Sequence, residues 1–363
     1  MELQCATTEI TGDVTLQWAL STETCGLFVE YIIYASNDEA GPYVILDLLF
    51  IEATTTYTHV GADGTVTTWY YYVEALYDCP GYTITTSDTL SNLDPEAPVL
   101  DYVSVLADGV HIYWLPSSSA KTSAYIIYRD IGGFTAIDTV YGRYTTTYTD
   151  ITSNAAAQVE TYTLASMDAC ENVGPFNNDS HHTIFLTVTQ SDCADELNLS
   201  WNLYDTWPAG VLNYTIYADV NGTGAFLAGT VSNTTTSYVY SGIDDGDEIC
   251  VTVHATRSDN TAVSVSNEWC SVFEVVQPAE YNVMRNATVA SPFQIDITWY
   301  PDESADLMQY DVQRSTDGGS FTTVFTSDVT DPVTTPGIYS DPSVSADAQS
   351  YYYKINTTDS CGT

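Results

Sequence analysis

Positive charge is nearly absent: 363 residues carry seven Lys plus Arg against 48 Asp plus Glu, a formal net charge of −41. Such a field repels nucleic-acid phosphates and anionic membrane surfaces, so no nucleic-acid partner is expected. The chain has no run of eighteen apolar residues, which excludes a membrane-spanning helix and direct membrane insertion. Met1 is not followed by a charged segment and an apolar one, so no signal peptide is visible. Sustained helical periodicity is missing as well, which excludes a helical bundle. Only five histidines are present, scattered along the chain. There is no Gly-Xaa-Ser-Xaa-Gly elbow, His-Glu-Xaa-Xaa-His helix, phosphate loop or dinucleotide fingerprint. The expectation is a non-enzyme with no organic cofactor. No two of the eight cysteines form a CxxC pair with metal-ligand spacing.

What is present is a repeat. Four strand-like runs end in tryptophan: Val14–Trp18, His111–Trp114, Leu197–Trp201 and Ile295–Trp299. Each is followed about a dozen residues later by a second run: Tyr31–Tyr34, Tyr125–Tyr128, Tyr214–Tyr217 and Tyr310–Arg314. The tryptophans stand 96, 87 and 98 residues apart. That period is too long for a solenoid repeat and suits one small β-sandwich. Tyr, Thr, Val and Ile are abundant, as a pleated, half-buried surface requires. The predicted fold is all-β, four tandem sandwiches in an extended array, spanning 1–94, 95–178, 179–276 and 277–363. Pro95, Pro98 and Pro278 stiffen the joints. Tyr71, Tyr162 and Tyr353 each precede a cysteine by eight residues (Cys79, Cys170 and Cys361), whereas Val251 holds that tyrosine position in the third repeat. The first three repeats continue into one more strand-like run. The fourth does not, so the chain reads as part of a longer polypeptide, or as one completed by a neighbour's strand.

Three clusters invite a binding reading. Asp244-Asp-Gly-Asp-Glu248 offers Asp244, Asp245, Asp247 and Glu248 to a hard cation such as Ca²⁺, or is a plain exposed turn. His181-His182 lies in a polar stretch and reads as a solvated linker. Trp69, Trp207 and Trp269 fall outside the repeated core position and are candidates for stacking on sugars; sheet packing is the simpler reading.

The order of Trp strand, Tyr-x-x-Tyr strand, Thr-Tyr-Thr strand and Tyr-x-Val-x-Ala strand resembles the fibronectin type III fold. The resemblance implies that Trp18, Trp114, Trp201 and Trp299 are core residues. It also implies that Tyr71, Tyr162 and Tyr353 pin a loop through their hydroxyls. Longer strings, Leu197-Asn-Leu-Ser-Trp-Asn-Leu-Tyr204, Trp207-Pro-Ala-Gly-Val211 and Asp359-Ser-Cys-Gly362, resemble repeats of large Bacteroidetes surface proteins. Such proteins often carry a gliding-motility-associated domain read by the type IX secretion machinery.

Strand order then gives expectations for the cysteines. Cys250 and Cys270 lie on successive strands of one hairpin, and Cys25 and Cys79 link two loops of the first repeat. Cys170 and Cys193 are expected to tie the second repeat to the third. Cys5 and Cys361 are left as inter-repeat or intermolecular cysteines, each pairing beyond the chain. Disulfides favour an oxidising compartment. The expected function is a disulfide-stiffened spacer in a secreted, cell-surface adhesin or stalk, with flanking repeats or neighbouring subunits as partners. Two alternatives are a filament subunit assembled by strand addition and an accessory module that binds surface polysaccharide.

Overall fold

The computed structural model describes residues 1–363 apart from 23–25, 80–82, 177–178, 192, 329–335 and 363. The described residues form 29 strands and no helix. The first sandwich holds β1 (Glu2–Thr8), β2 (Val14–Ala19), β3 (Phe28–Ser36), β4 (Val44–Leu49), β5 (Thr56–His59), β6 (Tyr70–Tyr77), β7 (Thr83–Thr86) and β8 (Leu90–Ser91). The second holds β9 (Val99–Leu106), β10 (Gly109–Leu115), β11 (Thr122–Asp130), β12 (Phe134–Tyr141), β13 (Thr147–Asp150), β14 (Thr161–Asp168) and β15 (His181–His182). The third holds β16 (Leu186–Ser191), β17 (Glu196–Trp201), β18 (Val211–Val220), β19 (Phe226–Ser232), β20 (Ser237–Ser241), β21 (Glu248–Arg257), β22 (Val263–Val265) and β23 (Trp269–Val272). The fourth holds β24 (Asn282–Ser291), β25 (Gln294–Pro301), β26 (Leu307–Ser315), β27 (Thr322–Asp328), β28 (Gly337–Asp341) and β29 (Tyr352–Asp359).

Every sandwich repeats one topology. A three-stranded sheet (β1-β2-β5, β9-β10-β13, β16-β17-β20 or β24-β25-β28) faces a sheet built on the third and sixth strands. The facing sheets run β4-β3-β6-β7, β12-β11-β14-β15, β19-β18-β21-β22 and β27-β26-β29, and all pairings are antiparallel. This is the fibronectin type III strand order, so the fold is an all-β tandem of four such sandwiches.

Period-two alternation decides which residues enter each core. Val14, Leu16 and Trp18 turn inward from β2; Tyr31 and Ile33 meet them from β3. The repeated tryptophan packs on the repeated tyrosine each time. Ring centroids are 5.5 Å apart for Trp18–Tyr31, 5.4 Å for Trp114–Tyr125, 5.7 Å for Trp201–Tyr214 and 5.7 Å for Trp299–Tyr310. Burial of these rings supplies much of the hydrophobic drive.

One place departs from the sequence reading. His181-His182 is not a solvated linker: it forms β15 on β14, and His181 is 1% exposed. The second sandwich therefore reaches past residue 178, because the polar stretch returns to its own sheet before crossing over. In the fourth sandwich no strand covers the outer edge of β29 among the described residues. Tyr353 and Ile355 stay half-exposed there, whereas their counterparts Tyr71 and Val73, Tyr162 and Leu164, and Val251 and Val253 are buried.

Candidate functional site at the joints between sandwiches

Strand direction sets which surfaces meet at a joint. In this topology the turn after the sixth strand lies at the end where the chain enters a sandwich, so it faces the preceding sandwich. The first strand, and the turn that follows it, face the next one. The cysteines occupy these two surfaces. Cys5 on β1 is bonded to Cys170, two residues beyond β14, with Cα atoms 6.0 Å apart. Cys193, just after β16, is bonded to Cys361 beyond β29, with Cα atoms 5.7 Å apart. The expected Cys170–Cys193 bridge is therefore corrected, and Cys5 and Cys361 both find partners within the chain. Adjacency in sequence misled: Cys170 faces back to the first sandwich, and Cys193 faces forward to the fourth. Cys250 and Cys270 stand opposite each other on β21 and β23 and are bonded. Cys79 is disulfide-bonded, and its expected partner Cys25 lies outside the described residues.

Polar contacts reinforce the first joint. Asn172 Nδ2 donates to Thr7 Oγ1 at 2.7 Å, and Lys121 Nζ reaches the Ser91 carbonyl at 3.3 Å. The linker passes so close that a Cβ on Gly174 would sit 1.9 Å from the Pro95 carbonyl oxygen.

The second joint has no cysteine bridge; it has a shared core. Buried side chains run without interruption from Leu100 and Val103 of the second sandwich to Tyr204, Trp207 and Phe273 of the third. Tyr204 and Trp207, from the β17–β18 connection, lie against β9. The Val103 amide donates to the Tyr204 hydroxyl at 3.0 Å, and Trp207 Nε1 donates to the Asp101 carbonyl at 2.7 Å. From β22, Ser264 Oγ donates to the Val103 carbonyl at 2.7 Å, and the Val265 amide donates to Ser104 Oγ at 3.0 Å. Arg257 spans the joint as an ion pair to Asp101, its guanidinium 5.8 Å from the Trp207 ring centroid. His181 Nδ1 lies 2.8 Å from the Tyr204 hydroxyl. Burial, with smaller contributions from His182 and Arg257, pushes the His181 pKa down to about 4, so the ring is neutral at pH 7. Trp207 is thus buried between sandwiches rather than free to stack on a sugar. Trp69 donates to the Ala62 carbonyl and packs on His59, and Trp269 is half-buried on β23.

At the third joint the cross-link borders a cavity of about 520 Å³ lined by Cys193, Asp195, Asp244, Asp245, Asp359 and Cys361. The acidic turn is engaged with the segments beside it. Asp245 Oδ1 accepts from the Val275 amide at 2.9 Å, and Asp247 Oδ1 accepts from Asn221 Nδ2 at 2.6 Å. Asp244, Asp245, Asp247 and Glu248 do not bring three ligand atoms within coordinating reach of one another. Among the described residues one group does so, Cys250, Glu268 and Cys270, and its two sulfurs are bonded together.

The tyrosine hydroxyls anchor the corner before the sixth strand. Tyr162 donates to Asp150 Oδ2 and Tyr353 to Asp341 Oδ2, each at 2.9 Å; Tyr71 lies 2.9 Å from His59 Nδ1. Arg129 and Arg314 close the same carboxylates at 2.7 Å and 2.8 Å. The sequence repeat points to the tyrosines but not to their arginine and aspartate partners. A repeated Arg at the end of the third strand with an Asp at the end of the fifth was the available signal.

No protein-family model matches the chain, and no curated protein matches it. Among solved structures it is similar to the FN1–FN3 domains of chicken CNTN1, at 13% identity over 75% of this chain and 98% of that one, TM-score 0.22. It is also similar to the chicken interferon gamma receptor alpha chain, at 11% identity over 50% of this chain and 99% of that one, TM-score 0.22. A third similarity is to a two-domain fibronectin type III segment of chicken tenascin, at 16% identity over 48% of this chain and 89% of that one, TM-score 0.23. The assignment of the fold stands on the strand order and registers given above.

Proposed function

We propose that the chain is a non-catalytic, extracellular spacer and interaction array, a stiff segment of a secreted surface protein of the adhesin or stalk kind. The observation that carries this reading is that all three joints are closed, two by cross-links and the middle one by a shared core. Flexible linkers would let sandwiches tumble separately; a packed interface removes that freedom. Disulfides suit an oxidising compartment, and the resemblance to repeats of Bacteroidetes surface proteins supports placement at a cell surface. The net charge of −41 favours solubility and weak non-specific adhesion in saline water. Small-angle scattering of the oxidised chain tests the reading. A single rod-like conformation is expected; a broad distribution of the kind given by beads on a flexible string would overturn it.

A further inference from the structure

We infer that the two joint cross-links carry tension past the sandwiches, so that in the oxidised chain residues 6–169 and 194–360 stay out of the force path. Take a pull applied before Cys5 and after Cys361. Between Cys5 and Cys170 there are two covalent routes: one disulfide, and 165 residues of backbone. The disulfide holds its Cα atoms 6.0 Å apart and becomes taut first, so the backbone loop stays slack. The same holds for the 168-residue loop closed by Cys193 and Cys361. Nearly all of the four sandwiches lies inside these two loops. The force path runs through Cys5–Cys170, then residues 171–192, then Cys193–Cys361.

Only the middle stretch is extensible, and it is fastened at the second joint. β15 pairs with β14, and β16 pairs with β17. The Thr183 amide donates to the Glu160 carbonyl at 2.9 Å, and the Glu160 amide donates to Thr183 Oγ1 at 3.0 Å. The Leu186 amide donates to Asn267 Oδ1 at 2.6 Å, and Asn267 Nδ2 returns a bond to the Leu186 carbonyl at 3.1 Å. Ile184 and Leu186 are buried. The middle joint is therefore the compliant element, and the only length it can release is that of residues 171–192, the strands β15 and β16 included. The pairing of alternate joints matters: a Cys170–Cys193 bond would shunt the linker and leave all four sandwiches in the force path. This reading is independent of stiffness, since a flexible string with the same two bridges would bypass its sandwiches equally.

Single-molecule pulling between handles on the two ends of the full chain tests the inference. Without reductant, the expected extension beyond the folded length is at most about 80 Å, from 171–192 at roughly 3.6 Å per residue. With a phosphine reductant the bridges open and the chain should extend toward about 1,300 Å on the same scale. In the double variant Cys5→Ser with Cys170→Ser, the first loop rejoins the path; with the expected Cys25–Cys79 bridge still closing its own stretch, it should add about 400 Å. Sandwich-sized steps of about 300 Å in the oxidised wild-type chain would overturn the inference. So would identical traces with and without reductant. If the double variant fails to fold, the oxidised and reduced wild-type traces still decide between these outcomes.

Discussion

At the scale of single residues, closeness and burial set the sharpest expectations. Gly174 is fixed by contact rather than by conformation: the Pro95 carbonyl oxygen occupies the space of a Cβ, at 1.9 Å. Backbone cannot swing aside as a flexible side chain does, so Gly174→Ala should destabilise the first joint by about 1–3 kcal/mol. Thermal unfolding checks this, and an unchanged melting temperature would contradict it. His181 gives a pH dependence. Its folded-state pKa is depressed to about 4 by burial, below the usual value of 6.5. Its contribution to stability is therefore complete above pH 6.5 and is lost as pH falls through 4. At roughly 1.36 kcal/mol per pKa unit the loss is about 3 kcal/mol. His181→Gln should flatten this part of the stability–pH curve, as denaturant titrations at pH 7 and pH 4 would reveal. None of this was legible in the sequence, where His181 sat among polar residues. Burial was imposed by Tyr204, which arrives from the next sandwich.

At the scale of elements, the strand pattern was readable because period-two alternation and the Trp–Tyr pair act locally. The second and third strands of every repeat fell where Val14–Trp18, Tyr31–Tyr34 and their counterparts had placed them. The tyrosine position before the corner was readable too, since it recurs at fixed spacing from a cysteine. Hydrogen exchange should separate the edges. The Val73 amide donates to Ser87 Oγ at 3.0 Å, and the Val253 amide donates to Ser266 Oγ at 2.9 Å. The same position on β29 is Ile355, with no strand outside it among the described residues. Its amide should exchange at least about tenfold faster than those of Val73 and Val253, because local opening costs little at an uncovered edge. Equal protection at all three would show that the β29 edge is covered.

At the scale of the whole molecule, the repeat period predicts the number of sandwiches, but composition says nothing of how they are fastened. Sequence alone misplaces the Cys170 and Cys193 bridges because cysteine spacing conveys position along the chain and not the end of the sandwich a turn occupies. Strand direction supplies that missing piece: turns after the sixth strand face backward, and first strands face forward. The shared core of the second joint was hidden for another reason. Trp207 reads as a sheet-packing residue or a sugar-stacking candidate, and neither reading places it against β9 of the preceding sandwich. Trp207→Ala should cost about 3–5 kcal/mol, and it should split the single melting transition of the second and third sandwiches into two. Calorimetry would show one transition in the wild-type chain and two in the variant; one transition in both would contradict the shared core. Beneath the account of the first and third joints lies the pairing of four cysteines. Peptide mapping of the native chain without reductant tests it most directly. The structure predicts peptides joining Cys5 to Cys170 and Cys193 to Cys361; a peptide joining Cys170 to Cys193 would contradict it.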